Sequence, residues 1–425
     1  MAVGTQFLGS LQQALKVSEL RTKLLFTVAM LLVFRIGAHI PVPGVNPDAI
    51  EKLIASGALF GFFDVISGGA FKNFAIFAMG IIPYINASII MQLLTVVIPK
   101  LERLSKEGEE GRKKIVQYTR YGTAILAFLQ GLGMSVALKN SLVHPGILSY
   151  LFVATILTAG TVFLMWLGEQ ITEHGIGNGI SLLIFAGIVS RVPAGAVRIF
   201  QYLEAGTINI LSIIALVIIA VLVIGAVVAV QEGQRRIPVQ YAKRVVGRRV
   251  YGGQTTHLPL KVNQAGVIPV IFASSILIFP QQIAGYFQGN VVADAFTRYF
   301  HWGSFLHTTL YALLIIGFTY FYTAVIMNPV DVADNIKKYG GFIPGLRPGR
   351  PTAEYISKVM ARITLAGAIF LALIAILPNF VLLATRIPNI YFGGTALLIV
   401  VGVALDTMKQ VEAHLLMRSY QGFIK

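Results

Sequence analysis

The stretch that most constrains the fold is residues 58–98, ALFGFFDVISGGAFKNFAIFAMGIIPYINASIIMQLLTVVI. Its second part, residues 74–98, is long enough to cross a bilayer as a helix. Its first part is not. Residues 58–71 are apolar but few, are interrupted by Gly61, Gly68 and Gly69, and carry Asp64. Such a segment cannot span, and it is too apolar for an ordinary exposed loop. Irregular backbone at membrane depth is tolerated only where it is buried in protein or lines a cavity. The sequence therefore predicts a re-entrant segment seated inside a chain that surrounds a cavity. A re-entrant turn or surface-lying helix without function fits the same geometry.

Composition places the rest of the chain in the same setting. Hydrophobic residues make up 56% and charged residues 12%, where a soluble domain averages about 25% charged. Mean hydropathy is +0.75. Ten apolar segments follow one another, at roughly 24–40, 74–98, 121–138, 147–167, 175–192, 208–230, 267–284, 306–327, 364–383 and 391–408. The fifth is short and glycine-rich, and the seventh holds Pro269, Ser274, Ser275 and Pro280. The first has the layout of a secretory signal, with Arg21 and Lys23 ahead of an apolar run. No small-residue cleavage site follows, so it reads as a retained span. The chain has no cysteine, which excludes disulfides and thiolate metal sites.

Charge placement supports the count. With the N-terminus inside, the inner segments carry 26 of the 34 lysines and arginines and the outer segments 7, with Arg35 left inside the first span. This asymmetry fits the positive-inside rule, and dropping one span would scramble it. Both termini then face the cytoplasm. Ten spans divide as five and five, over residues 1–195 and 196–425. An odd number of crossings per half forces the halves to be inverted, a common plan for pores and carriers.

Two inner loops, about 232–262 and 329–362, combine basic residues, aromatics and glycine turns. In the first, IPVQY and THLPLK are expected to pair as a hairpin around Gly247 and the Gly252–Gly253 turn. Positive charge alone would keep these loops inside. It does not account for their length, since a link between spans needs only a few residues. Docking surfaces for an acidic partner account for both, and RNA phosphate and acidic protein faces each qualify.

Much chemistry is missing. There is no GxxxxGK[ST] phosphate loop. Gly175-Ile-Gly-Asn-Gly179 joins two spans and does not follow a strand, so it reads as flexible packing, not a cofactor loop. Glu169, Glu173 and His174 read as a solvated helix end, not a metal site. The spans hold almost no carboxylates: Asp406 lies near the inner end of the tenth segment, and nothing acidic sits mid-membrane in the others. Ion-coupled carriers usually keep an ionisable group at depth. A passive pore driven from outside is the better fit, with no enzyme activity and no cofactor.

Several stretches carry a resemblance: FRIGAHIPVPG (34–44), SGGAFKNFAIFAMGIIPYINASIIMQLLT (67–95), EGRKKIVQYTRYGT (110–123), MWLGEQITEHGIGNGIS (165–181), GQRRIPVQYAKR (233–244), THLPLKVNQAGVIPVIFASSI (256–276), NPVDVADNIKKYGGFIPGLRPG (328–349) and YFGGTALLIVVGVALD (391–406). In this order they resemble the SecY family, the channel subunits of the bacterial protein translocase, along essentially the whole chain. The resemblance implies an all-α polytopic membrane protein of ten transmembrane helices in two inverted five-helix halves, with a re-entrant plug segment and a lateral gate to lipid. It places an apolar pore ring on Ile81, Ile85, Ile180, Ile184, Ile271 and Ile399. It places the plug on Phe63, Asp64, Val65, Ile66, Ser67, Gly68 and Gly69. Lateral-gate positions fall on Asn86 and Gln92 opposite Ser274, Ser275 and Phe279. Docking falls on Lys243, Arg244, Arg248 and Arg249 in one loop and Arg347 in the other.

The physical reading of the ring agrees, since two helices offer isoleucines at i and i+4 on one face and apolar constrictions gate by dewetting. The polar gate residues are expected to bond weakly between helices, about 0.6 kcal/mol each, so that the seam can both hold and part. The implied function is passage of unfolded secretory chains, with lateral release of apolar segments into membrane lipid of the bacterial plasma membrane. The implied partners are SecE-like and SecG-like small subunits, the SecA ATPase, the ribosome, signal peptides and preproteins. A ten-span solute carrier with inverted repeats is the alternative, but it should show a polar midplane where this chain offers isoleucines.

Overall fold

The computed structural model describes residues 17–46, 64, 67–241, 244–246, 249–251, 255–286, 291, 296, 299–301, 304–385 and 394–422. Each of the ten apolar segments contains a helix. They are α1 (Ser18–Gly37), α2 (Ile82–Val97), α4 (Glu109–Ala137), α5 (Ile147–His174), α6 (Gly179–Ser190), α8 (Ile210–Glu232), α9 (Ile268–Tyr286), α10 (Phe305–Ile326), α12 (Arg350–Thr385) and α13 (Gly394–Gly422). Shorter helices join them: α3 (Pro99–Lys106), α7 (Val192–Glu204) and α11 (Pro329–Lys338). The sequence of α8 is rich in Val and Ile, which water would not favour as helix. Lipid reverses that preference, because every backbone N–H and C=O must be satisfied within the segment.

Polar side chains cap three of the helix starts. Asn178 accepts from the Ser181 N–H, Ser304 from the His307 N–H and Asn328 from the Val330 N–H. The glycine-rich 175–179 connection is a hydrogen-bonded turn. The Ile176 N–H donates to Thr27 of α1 at 3.1 Å, the Gly177 N–H to Gln410 of α13 at 2.9 Å, and the Gly179 N–H to Thr172 of α5 at 2.9 Å.

The helices pack as two groups. In the first, α4 lies on α2 and α5, and α1 on α5 and α6; in the second, α10 lies on α9 and α12, and α13 on α8 and α12. The groups meet where α9 packs on α2 and α4, and where α13 packs on α6.

The second span differs from the expectation. Its helix begins at Ile82, not at residue 74, and has 16 residues, about 24 Å of rise against a core of about 30 Å. Phe74 and Gly80 hold positive φ, at 41° and 56°, and Pro83 sits in the first helical turn, so a helix cannot extend back through them. Residues 67–81 instead form buried turns. Ala75 bridges Pro41, with the Val42 N–H bonded to the Phe74 carbonyl and the Ile76 N–H to the Ile40 carbonyl. Phe71, Phe74 and Phe77 are each 2% exposed. This is irregular backbone at depth, enclosed by protein as the physics of the bilayer requires. At its other end α2 stops at Pro99, where the chain turns 101° into α3.

The two basic loops fold as one unit. The expected strand pairing is present: β1 (Gln234–Tyr241) pairs antiparallel with β4 (Thr255–Lys261), with Ile237 opposite Leu258, while Gly247, Gly252 and Gly253 of the expected turn lie outside the described residues. β2 (Arg244–Val246) and β3 (Arg249–Tyr251) form a separate ribbon at its tip. The other loop adds β5 (Gly341–Phe342) to the free edge of β1. Ile237, Val239, Leu260, Ile336, Ile343, Ile356 and Met360 share a small core beneath the sheet, drawn from both loops and from α12. Ile356 is fully buried there. Ile356→Ala should destabilise this unit by about 2–5 kcal/mol and expose both loops together to limited proteolysis. Cleavage of one loop alone would show that they fold separately.

Candidate channel waist, plug and seam

Four helices, two from each half, converge on one apolar void. It is lined by Ile82 and Ile85 of α2, Ile184 of α6, Val270, Ile271, Ser274, Ser275 and Ile278 of α9, and Thr395 and Ile399 of α13. The space open to the centre of a water-sized sphere is about 20 Å³, room for roughly one water molecule. Four of the six expected ring residues therefore face a common void: Ile85, Ile184, Ile271 and Ile399. The other two do not. Ile81 is buried at the N-cap, its carbonyl accepting from the Ile85 N–H at 3.1 Å, and does not line the void. The Ile180 side chain lies over Gly168 of α5, where its Cδ1 would be 2.5 Å from an added Cβ. Ile82, Val270, Ile278 and Thr395 were missed. A signal for two of them was available, since 270, 274 and 278 form one i, i+4, i+8 stripe on α9.

Of the seven plug positions, Phe63, Val65 and Ile66 lie outside the described residues. Asp64, Ser67, Gly68 and Gly69 are described. Asp64 and Ser67 are 8% and 1% exposed. Gly68 and Gly69 hold φ of +66° and +93° and lie against α6 and Arg191, where a Cβ at Gly68 would come within 2.9 Å of the Gly187 Cα. Both the conformation and the space therefore select glycine. Gly187 is three residues beyond Ile184, so the segment rests one turn along α6 from the void.

The expected gate residues flank the junction of α2 and α9. Ser274 and Ser275 are buried and line the void, while Asn86 and Gln92 are half-buried and Phe279 is 37% exposed. Their recorded hydrogen bonds stay within single helices: Ser274 Oγ donates to the Ile271 carbonyl at 2.8 Å, and Gln92 Nε2 to Ser88 Oγ at 3.4 Å. Serine in a helix satisfies its hydroxyl on the preceding turn without an interhelical partner.

On the loop unit, Lys243 and Arg248 lie outside the described residues, and Arg244 and Arg249 lie in β2 and β3. Arg347 is exposed on a turn between Gly345 (φ +82°) and Gly349 (φ +103°). Its neighbour Leu346 packs on the shared core, and the Arg347 carbonyl accepts from Thr352 Oγ1 at 2.8 Å. The turn is thus fixed while the guanidinium stays free to reach outward. Glu169, from the acidic cluster at the end of α5, accepts from Arg120 Nε of α4 at 2.8 Å.

Comparison with known proteins agrees with this architecture. The SecY family matches residues 75–408. The protein translocase subunit SecY of Halalkalibacterium halodurans is 53% identical over 422 residues, covering 96% of this chain and 98% of that protein. A SecY translocation channel, solved to show that its plug domain stabilises the closed state and maintains a membrane seal, superposes with a TM-score of 0.66 at 21% identity, covering 92% of each chain. The Sec61 channel from a canine ribosome–channel complex superposes with a TM-score of 0.64 at 20% identity, again over 92% of each. With family residues matched over most of its length, and a relative this alike from end to end, the chain belongs to the SecY family.

Proposed function

We propose that this chain is the passive, protein-conducting channel of a bacterial translocase. It passes unfolded secretory polypeptides across the plasma membrane and releases transmembrane segments sideways into lipid. The observation that carries this reading is the waist: isoleucines from four helices of both halves enclose a void that holds about one water. Such a ring resists hydration when empty and makes no specific bonds to a chain moving through it. The segment at 64–69 is the plug, the α2–α9 junction is the lateral gate, and both termini lie in the cytoplasm with the basic loop unit. SecE-like and SecG-like subunits complete the channel. The SecA motor and the ribosome dock on the basic loops; the canine neighbour's ribosome complex and the excess of arginine on this unit support that surface. The energy comes from those partners, and the chain performs no chemistry of its own.

The test is reconstitution with the two small subunits. A preprotein should become protease-protected inside vesicles only when SecA and ATP are both added. Protection without them would overturn the passive reading, and no protection with them would overturn the channel.

Docking has its own test. Arg347→Glu reverses a charge on an exposed turn whose packing it does not enter. Motor-driven transport should fall by at least about tenfold, as for loss of a charge pair at an interface, while the protein inserts normally. Wild-type transport in this variant would remove Arg347 from the docking surface.

A further inference from the structure

The segment at 64–69 is held by charged groups that the waist and gate do not include. Asp64 is ion-paired with Arg191, and both side chains are largely buried. Asp64 Oδ1 also accepts from the Lys72 N–H at 2.8 Å. Four residues along, the Gly68 carbonyl accepts from Arg35 Nη1 and, at 3.4 Å, from Ser190 Oγ. Arg35 Nη1 reaches Ser190 Oγ at 3.2 Å. Arg35 belongs to α1, and Ser190 and Arg191 close the end of α6, one turn beyond the Gly187 contact. The guanidinium of Arg191 occupies the space a side chain at Gly69 would fill, its Cζ 3.1 Å from an added Cβ.

We infer that Asp64 and Arg191 form a latch: a positioning pair that holds the plug in its seat, with Arg35 as a second anchor on the Gly68 carbonyl. This rests on the plug reading of that segment. The electrostatics give the latch two settings. While the seat is dry, the pair is strong, and separating it would strand a buried guanidinium beside Arg35. Once water enters, the same attraction falls severalfold and both ions hydrate. The latch therefore favours a seated plug in a closed channel and offers little resistance after the path has wetted. Among the described residues Asp64 is the carboxylate paired with this cluster of cations, so Asp64 carries the switch.

The test is resting ion flux through vesicles containing the channel with its small subunits and no substrate. Asp64→Asn keeps the size and the acceptor for Lys72 and removes only the charge. Asp64→Asn and Arg191→Gln should each raise the flux at least about tenfold, because removing one partner of a largely buried pair leaves the other charge uncompensated. The double variant should be no leakier than either single, because the pair has already been broken. Arg191→Lys, which keeps the charge, should return most of the seal. Deletion of residues 64–69 serves as the reference. If the deletion leaks and the single variants stay as tight as wild type, the latch is wrong and the plug stands. If the deletion is itself as tight as wild type, the segment is no plug and the latch falls with it. Leaks that multiply in the double variant would show two independent residues and overturn the pairing.

Discussion

Serine at both Ile85 and Ile184 opens the resting channel to ions: vesicles bearing the double variant should conduct on the order of a hundredfold more than wild type. The two side chains come from α2 and α6 and line the same void. At 8% and 4% exposure each contributes roughly 1.5–3 kcal/mol of apolar burial to the dry state. Replacing both enlarges a space that now holds about one water and lines it with hydroxyls, so hydration is favoured on two counts. Ile180→Ser is the internal control, because that side chain lies over Gly168 and not in the void. It should leak far less. Wild-type flux in the double variant would remove these residues from the constriction.

A link between Asn86 and Phe279 should stop transport completely, and cleaving it should restore transport. The two positions lie on α2 and α9, the helices whose junction joins the halves on this side. Asn86 is half-buried and Phe279 is 37% exposed, so a reagent can reach both. The chain has no native thiol, so Asn86→Cys with Phe279→Cys supplies the only pair. A direct disulfide needs Cα atoms about 4.4–6.8 Å apart; a short cleavable crosslinker relaxes that demand. On the proposed reading a signal helix must part this seam before the chain behind it can enter the waist, so a linked seam blocks transport. Efficient crosslinking with undiminished preprotein transport would place the lateral gate elsewhere.

The spans were legible because lipid makes them so. A run of apolar residues long enough to cross has few other fates. The β1–β4 hairpin was legible from strand composition and turn residues close together in sequence. The start of α2 was not. Residues 74–81 are as apolar as the helix that follows, and apolarity does not distinguish helix from enclosed turns; Gly80 and Pro83 were the available signals. α7 was missed for a related reason, since Pro193 looks like a stop but sits in the first turn of a new helix, where its missing N–H costs nothing.

The waist was found in part. Four isoleucines named by motif line the void, while Ile81 and Ile180 depended on where a helix begins and which neighbour a side chain meets. The Asp64–Arg191 pair spans more than a hundred residues of sequence, and nothing local announces it. Arg35, a lone arginine in the first span with no carboxylate beside it, was the one visible hint that a distant acceptor existed.

The pairing of β1 with β5 is only two residues long, but it changes what a partner can grip. Tyr241 pairs with Gly341 and Gln240 with Phe342, and the core beneath includes Ile356 and Met360 from the first turns of α12. The loops are therefore a single handle. α12 is its shaft, 36 residues in one helix, or about 54 Å at helical rise. β4 ends at Lys261, seven residues before α9 begins. A load applied to this handle is thus borne at once by α12 and by α9, which lines the void. Torque on the handle is torque on the wall of the pore.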